Sequence, residues 1–128
     1  MSWFIDTNVA IHFRDGDEDV FERIDALDGE VMLSIVSRVE LEGGVYQIAS
    51  ESGARRMRLD RMLTTLPVVD FDAKSADAYR TIIETVGFSR RKVLDRMIAA
   101  QAIANRASLV TLNGDDFRDI PGLDLVEW

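Results

Sequence analysis

Acidic side chains are where this sequence could do chemistry. It has no cysteine and one histidine, His12, so a thiolate nucleophile is absent and a Ser-His-Asp relay is disfavoured. Carboxylates are in excess, and several sit at places where a fold could gather them. Asp6 ends the apolar run Ser2–Ile5, and Glu40 stands three residues after Ser37, at capping-box spacing. Asp95 opens a strongly apolar stretch, and the pair Asp115-Asp116 follows Leu109-Val110-Thr111. Carboxylates crowded together repel one another unless some protonate or a cation sits among them. An all-oxygen donor set without His or Cys suits Mg²⁺ or Mn²⁺ rather than zinc. If the chain is an enzyme, its acids do the work.

Each of these acids also has a purely structural role available. Asp6 could cap a helix starting at Thr7, and Glu40 could be only the N3 member of a Ser37–Glu40 capping box. Asp95 could complement a helix dipole, and Asp115-Asp116 could be turn residues after Gly114. Convergence on one rim is what favours a site, and that depends on the elements that carry them. Ser2–Ile5 reads as a strand. Val20, Phe21, Ile24 and Leu27 share a helical face that ends at Asp28-Gly29. Val31–Leu33 reads as a second strand, followed by a helix opened by Ser37–Glu40. A helix over Ala54–Thr65 turns Met57, Met62, Leu63 and Leu66 toward the core and ends at Pro67. Val68–Val69 is a third strand. Asp72 caps a helix with Ala76, Tyr79, Ile83 and Val86 inward, closed by Gly87. Val93–Arg106 is apolar almost all round, as in a helix buried against a sheet. Leu109–Thr111 and Leu123–Val126 supply further strands.

This alternation predicts an α/β fold, a short parallel β-sheet flanked by helices on both faces, in a single domain over residues 1–128. Ligands of such sheets bind beyond the carboxyl ends of the strands. Asp6 and Asp115-Asp116 fall at that edge, with Glu40 and Asp95 beside it. Twenty-three acids against 15 bases leave a net charge of −8, opposite to that of a protein coating nucleic acid by bulk electrostatics, but compatible with a metal-filled cleft. No apolar run reaches the roughly 20 residues of a membrane span, and Asp6 interrupts any signal-peptide core. With no cysteine, the expected location is cytoplasmic, away from any membrane. His12 reads as a structural histidine, Gly43-Gly44 as a close helix approach, and Arg55, Arg56, Arg58 and Arg61 as a solvated face. Arg90-Arg91-Lys92 and Arg96 flank Asp95, where a phosphodiester would need positive charge and where loop solubility is the competing reading.

Five segments in order resemble one family. Phe4-Ile5-Asp6-Thr7-Asn8-Val9 is similar to the opening of PIN-domain nucleases, and Glu40-Leu41 with Gly43-Gly44-Val45 to their VapC-type toxin branch. Leu94-Asp95-Arg96-Met97-Ile98-Ala99-Ala100, Leu109 to Phe117, and Ile120-Pro121-Gly122-Leu123 to Trp128 complete the resemblance over essentially the whole chain. It implies a Mg²⁺-dependent endoribonuclease, with Mn²⁺ as a possible substitute, serving as the toxin of a VapBC-type toxin–antitoxin pair. The implied catalytic acids are Asp6, Glu40, Asp95 and Asp116. Asp6, Asp95 and Asp116 would hold the metal, and Glu40 would be more peripheral. Asn113 replaces an acid common in the family, which makes Asp116 the fourth acid and Asp115 its competitor; Arg96 stands where the family is often apolar. Thr7 and Asn8 would orient Asp6 or bind a metal-bound water, with a purely helix-starting role as the competing reading. The implied partners are an RNA of the tRNA or rRNA class, cut to leave a 5′-phosphate and a 3′-hydroxyl, and a small antitoxin. Its basic tail would cover the acidic rim, with its apolar part near Phe13, Val20 and Phe21. A homodimer is implied too, with a seam at Met57, Met62 and Gly43-Gly44. The alternatives are a catalytically silent PIN-like protein-binding module and a receiver-type phosphoacceptor. The second is disfavoured because Asp6 stands alone and no lysine follows Lys92.

Overall fold

Phe4 and Ile5 are completely buried because their strand, β1 (Ser2–Ile5), is the middle one of five. The protein is described by a computed structural model covering residues 1–128. β1 pairs in parallel with β2 (Glu30–Ser34) on one side and β4 (Ser108–Thr111) on the other; β3 (Val68–Val69) and β5 (Leu125–Glu127) are the edges. The order is β3-β2-β1-β4-β5, with every pairing parallel. In a strand successive side chains point to opposite faces, and the register puts Phe4 beside Met32 and Leu109, and Ile5 beside Leu33 and Val110. The first trio enters one hydrophobic core and the second trio the other. That is why these strands are apolar without alternation.

Helices fill both faces. α5 (Ala73–Val86) and α6 (Val93–Ala104) cover the Phe4 side, where Ile98, Ala99, Ala100 and Ala102 of α6 are buried. α1 (Thr7–Arg14), α2 (Glu18–Asp25) and α4 (Ser52–Thr65) cover the Ile5 side. α3 (Ile35–Val45) spans the two, sending Val36 into one core and Leu41 and Val45 into the other. Gly87 closes α5 with φ of 83°, a left-handed conformation that glycine adopts without strain. No helix is long and apolar enough to cross a membrane.

The structure departs from several sequence expectations. β2 runs into α3 without a loop, so Ser34 caps the helix by accepting the Val36 N–H at 3.0 Å, and the Ser37–Glu40 box does not form. Glu40 therefore lies in the second turn of α3. In α4 the inward stripe is Leu59, Met62 and Leu66, whereas Met57 is exposed. In α5 Ile82 rather than Ile83 is fully buried, and Ala76 is exposed. α2 begins inside the acidic segment, with Asp17 as its cap, and β5 starts two residues later than expected, at Leu125.

One buried polar side chain ties the left half of the sheet together. Gln101 of α6 accepts from Ser34 Oγ at 2.6 Å, and its Nε2 donates to the carbonyls of Val69 (2.7 Å) and Asp70 (2.9 Å). It thereby fastens the two-residue strand β3 to the end of β2. Substitution Gln101→Leu would leave those carbonyls without their donor, a loss on the order of 2 kcal/mol. The urea midpoint should fall accordingly with an unchanged slope, and an unaltered midpoint would contradict this role for Gln101.

Candidate active site

Asp6 is the first residue beyond β1, and its carboxylate is fixed from two directions. Oδ1 accepts the Val9 N–H at 2.9 Å, capping α1, and Oδ2 accepts from Thr111 Oγ1 at 2.5 Å. The capping role is real and compatible with a site role, because both follow from one rotamer. Only 4% of Asp6 is exposed. Burial pushes its pKa above the usual carboxylate range, with the charge of Asp116 adding to the effect, and the two hydrogen bonds oppose it.

Glu40 reaches the same edge from α3. Thr7 Oγ1 donates to Glu40 Oε1 at 2.7 Å and lies 2.9 Å from Ser37 Oγ. Thr7 thus orients Glu40, and the residue that orients Asp6 is Thr111, which the sequence reading did not assign. Asp95 stands in the first turn of α6. Its pKa is pushed up to about 6, first by burial and then by the charges of Asp116, Glu40 and Asp6. Asp116 ends the 3-10 turn Gly114–Asp116, and its Oδ2 accepts from Asn113 Nδ2 at 2.7 Å. Asp115 is elsewhere engaged, in an ion pair with Arg118, which also grips Glu127. Glu127 packs so closely on Gly114 that a Cβ there would fall 1.9 Å from its Oε1.

The four acids Asp6, Glu40, Asp95 and Asp116 therefore share one electrostatic environment, and none of them has an ion-pair partner. No three acids stand close enough together to hold an ion as they are placed, and Asp116 is not among the residues lining the cleft that Asp6, Glu40 and Asp95 share. Their hard oxygen donors and mutual repulsion fit a divalent cation such as Mg²⁺. The cleft holds about 540 Å³, with Asp6, Glu40 and Asp95 on its walls and Gly43 and Gly44 lining one side. A Cβ on Gly43 would meet nothing within 4 Å and one on Gly44 only Arg14 Nη1 at 3.8 Å, an ordinary contact, so neither glycine serves a tight helix contact.

Several basic residues lie differently from the sequence expectation. Arg96 is buried rather than exposed beside Asp95, with Nη1 donating to the Gly87 carbonyl at 2.8 Å. Arg90 and Arg91 are exposed, just before the Asp95 turn. Arg56 bridges Glu42 (2.5 Å) and Asp60 (2.6 Å), and Arg55 donates to the Gly44 carbonyl at 2.7 Å, so this run is only partly a solvated face. Arg58 and Arg61 line a second cavity of about 430 Å³ with Phe13, Phe21 and Met62. The two phenyl rings are stacked, with centroids 5.6 Å apart. Val20 is buried and Met62 almost fully so, which removes Val20 from any groove wall and Met62 from any exposed seam. His12 is half-exposed beside Asp17, with Nδ1 3.0 Å from Oδ2.

Comparison with known proteins agrees with this geometry. The profile of the PIN domain family matches residues 3–123. Ribonuclease VapC2 of Rickettsia felis is 31% identical over 134 aligned residues, covering 100% of this chain and 98% of that protein. The tRNA(fMet)-specific endonuclease VapC of Shigella flexneri is 26% identical over 132 residues, with the same coverage of both chains. Among solved structures, VapBC2 from Rickettsia felis bound to a DNA fragment from its promoter aligns with a TM-score of 0.87 at 29% identity, over 100% of this chain and 99% of that one. DNA-bound VapBC from Salmonella typhimurium aligns with a TM-score of 0.86 over 100% of this chain and 98% of that one; at 22% identity this speaks to the fold alone.

The raised pKa of Asp95 has a sign that can be checked. An acid whose folded pKa lies above its unfolded value destabilises the fold while ionised. The penalty is therefore present above about pH 6 and disappears as pH falls toward the ordinary 3.8. Asp95→Asn removes that charge. Metal-free Asp95→Asn should melt no lower than wild type at pH 7.5, with a gain on the order of 1 kcal/mol after discounting for partial exposure. The advantage should shrink by pH 5. A variant several degrees less stable at pH 7.5 would show that Asp95 is a structural acid.

Proposed function

This chain belongs to the PIN-domain family, in the branch of the VapC ribonucleases, and from that premise we propose that it is a Mg²⁺-dependent endoribonuclease, the toxin of a VapBC-type pair. The observation that supports this best is Asp95, an acid raised to about 6 by burial and by three other carboxylates that arrive on three different elements. Chemistry at such a site needs a cation, and the donor set favours a hard one.

Asp6, Asp95 and Asp116 would hold the ion. Bound there, Mg²⁺ supplies positive charge that neutralises the acids and polarises a phosphoryl oxygen. The protein's own groups do the positioning. Thr111 and the Val9 N–H hold both oxygens of Asp6 in place, and Asn113 holds Asp116 through Oδ2. Thr7 occupies Oε1 of Glu40, which leaves Oε2 able to accept a hydrogen bond from a water directed at the phosphorus. The exposed guanidinium groups of Arg90 and Arg91 lie at the entrance to the Asp95 turn, where they can meet phosphates flanking the scissile one. The substrate is an RNA of the tRNA or rRNA class, a proposal supported by the tRNA(fMet)-specific name of the Shigella relative.

The antitoxin's apolar segment would occupy the Phe13–Phe21 cavity, and its basic tail would lie over the acidic rim. A guanidinium from that tail can pair with a carboxylate through two parallel bonds and so compete with the cation. The homodimer proposal changes its surface. With Met62 buried, the exposed apolar side chains Val39 of α3, Tyr46 just past its end and Leu94 of α6 are the better seam.

RNA cleavage should require Mg²⁺ or Mn²⁺ and stop with EDTA. Asp6→Asn, Asp95→Asn and Asp116→Asn should each lower the rate more than about 100-fold, while Asp115→Asn should retain most activity. Metal-independent cleavage, or loss at Asp115 but not Asp116, would overturn the assignment. For the partners, light scattering at micromolar concentration should give twice 14.4 kDa for the chain alone. Adding the product of the neighbouring small open reading frame should raise the mass and suppress cleavage. A monomer, or full activity with that partner bound, would refute the corresponding proposal.

A further inference from the structure

Arg96 is the charged residue buried most deeply beside the acid cluster, and the function proposed above gives it no task. It follows Asp95 in α6 and is 3% exposed. Nη1 donates to the Gly87 carbonyl (2.8 Å), Nη2 stands 3.5 Å from Asp119 Oδ2, and the buried Nε has no partner. Such a group contributes poorly to stability, because one half-exposed carboxylate does not offset the desolvation of a guanidinium. Packing does not explain it either, since an apolar residue of similar length would fill the space without stranding a donor.

What Arg96 does is join three segments. Asp119 lies three residues beyond Asp116, Arg96 lies one residue beyond Asp95, and Gly87 ends α5. Lys92, one turn earlier, adds a weaker contact to the same Asp119 at 3.8 Å. On its other side the Asp116 loop is tied to β5 by Arg118, which pairs with Asp115 and Glu127. Among these arginine contacts, only the one from Arg96 links the loop to the helix that carries Asp95. Asp95 and Asp116 repel each other, so something must hold their elements together.

We propose that Arg96 is a positioning residue that clamps the Asp116 loop to the first turn of α6 through Asp119, and so sets the spacing of Asp95 and Asp116 for a divalent cation. The clamp rests on the nuclease proposal above, because it matters only if those two acids share an ion. Arg96 and Asp119 bond to none of the three acids proposed as ligands, so the clamp acts through the spacing of the two segments rather than through a bond to a ligand.

Mn²⁺ affinity measured by calorimetry, beside the melting temperature of each metal-free protein, tests it. Arg96→Met should bind Mn²⁺ about tenfold more weakly while melting within a few degrees of wild type, since the stranded donor is gone. Asp119→Ala should show the same loss, the double variant little more, and Arg96→Lys a partial recovery. Asp119 is half-exposed, so Asp119→Ala keeps the test intact if Arg96→Met does not fold. Wild-type affinity in Asp119→Ala or Arg96→Met, or a loss of affinity that merely follows a loss of melting temperature, overturns the clamp alone. A wild-type chain that binds no Mn²⁺ overturns the nuclease proposal and the clamp with it.

Discussion

Repulsion among Asp6, Glu40, Asp95 and Asp116 is the constraint around which the rest of this molecule is arranged. Left free, such acids would separate or protonate. Three of them are held by neutral donors: a backbone N–H and Thr111 for Asp6, Thr7 for Glu40, and Asn113 for Asp116. Asp95 is held by its helix, and its pKa is raised first by burial and then by the charges of the other three acids. Neutral donors orient a carboxylate without cancelling its charge. A lysine or arginine in their place would fix the side chains equally well but would leave less negative charge for a divalent cation.

The sheet explains how acids so far apart in sequence meet. Parallel strands bring all their carboxyl ends to one edge, and the central strand and its neighbour deliver Asp6 and Thr111 side by side. The register that opposes Ile5 to Val110 is what sets Thr111 Oγ1 against Asp6 Oδ2. The same register divides the apolar residues between two cores. Slipping one strand by a residue would exchange the faces and break the hydrogen bond at once, so packing and site geometry are enforced by one set of contacts.

Charge is also distributed by location. Most arginines are committed to local pairs, as with Arg56 to Glu42 and Asp60, Arg80 to Glu84, and Arg118 to Asp115 and Glu127. With a net charge of −8, the chain has little general attraction for a polyanion. Under the proposed function, binding of RNA would have to be local, through the few unpaired arginines at the rim and through a cation held by the acids. Arg58 and Arg61 lie in a different place, with the stacked Phe13 and Phe21, so the apolar cavity and the acidic cleft present opposite electrostatic faces to their surroundings.

Local signals in the sequence determined much of this. β1 and β3 have the expected bounds, and α5 runs between the Asp72 cap and Gly87, because capping residues and apolar runs act within a turn or two. The alternation of strands and helices sufficed to place four acids on one edge, since a parallel sheet has only one carboxyl side. Contacts between distant residues decided the remainder. Ser34 could cap α3 only because β2 enters the helix directly, which hid the start of that helix from the Ser37–Glu40 spacing. Arg118 engages Asp115 together with Glu127 and leaves Asp116 without an ion-pair partner near Asp6 and Asp95, and Thr111 rather than Thr7 orients Asp6 because strand pairing spans more than one hundred residues. Arg96 reads as a surface charge beside Asp95, yet lies inside the protein because Asp119 and the Gly87 carbonyl come to meet it. Periodicity states which face of an element is apolar, but which long polar side chain finds a partner in the interior is settled only when the elements pack.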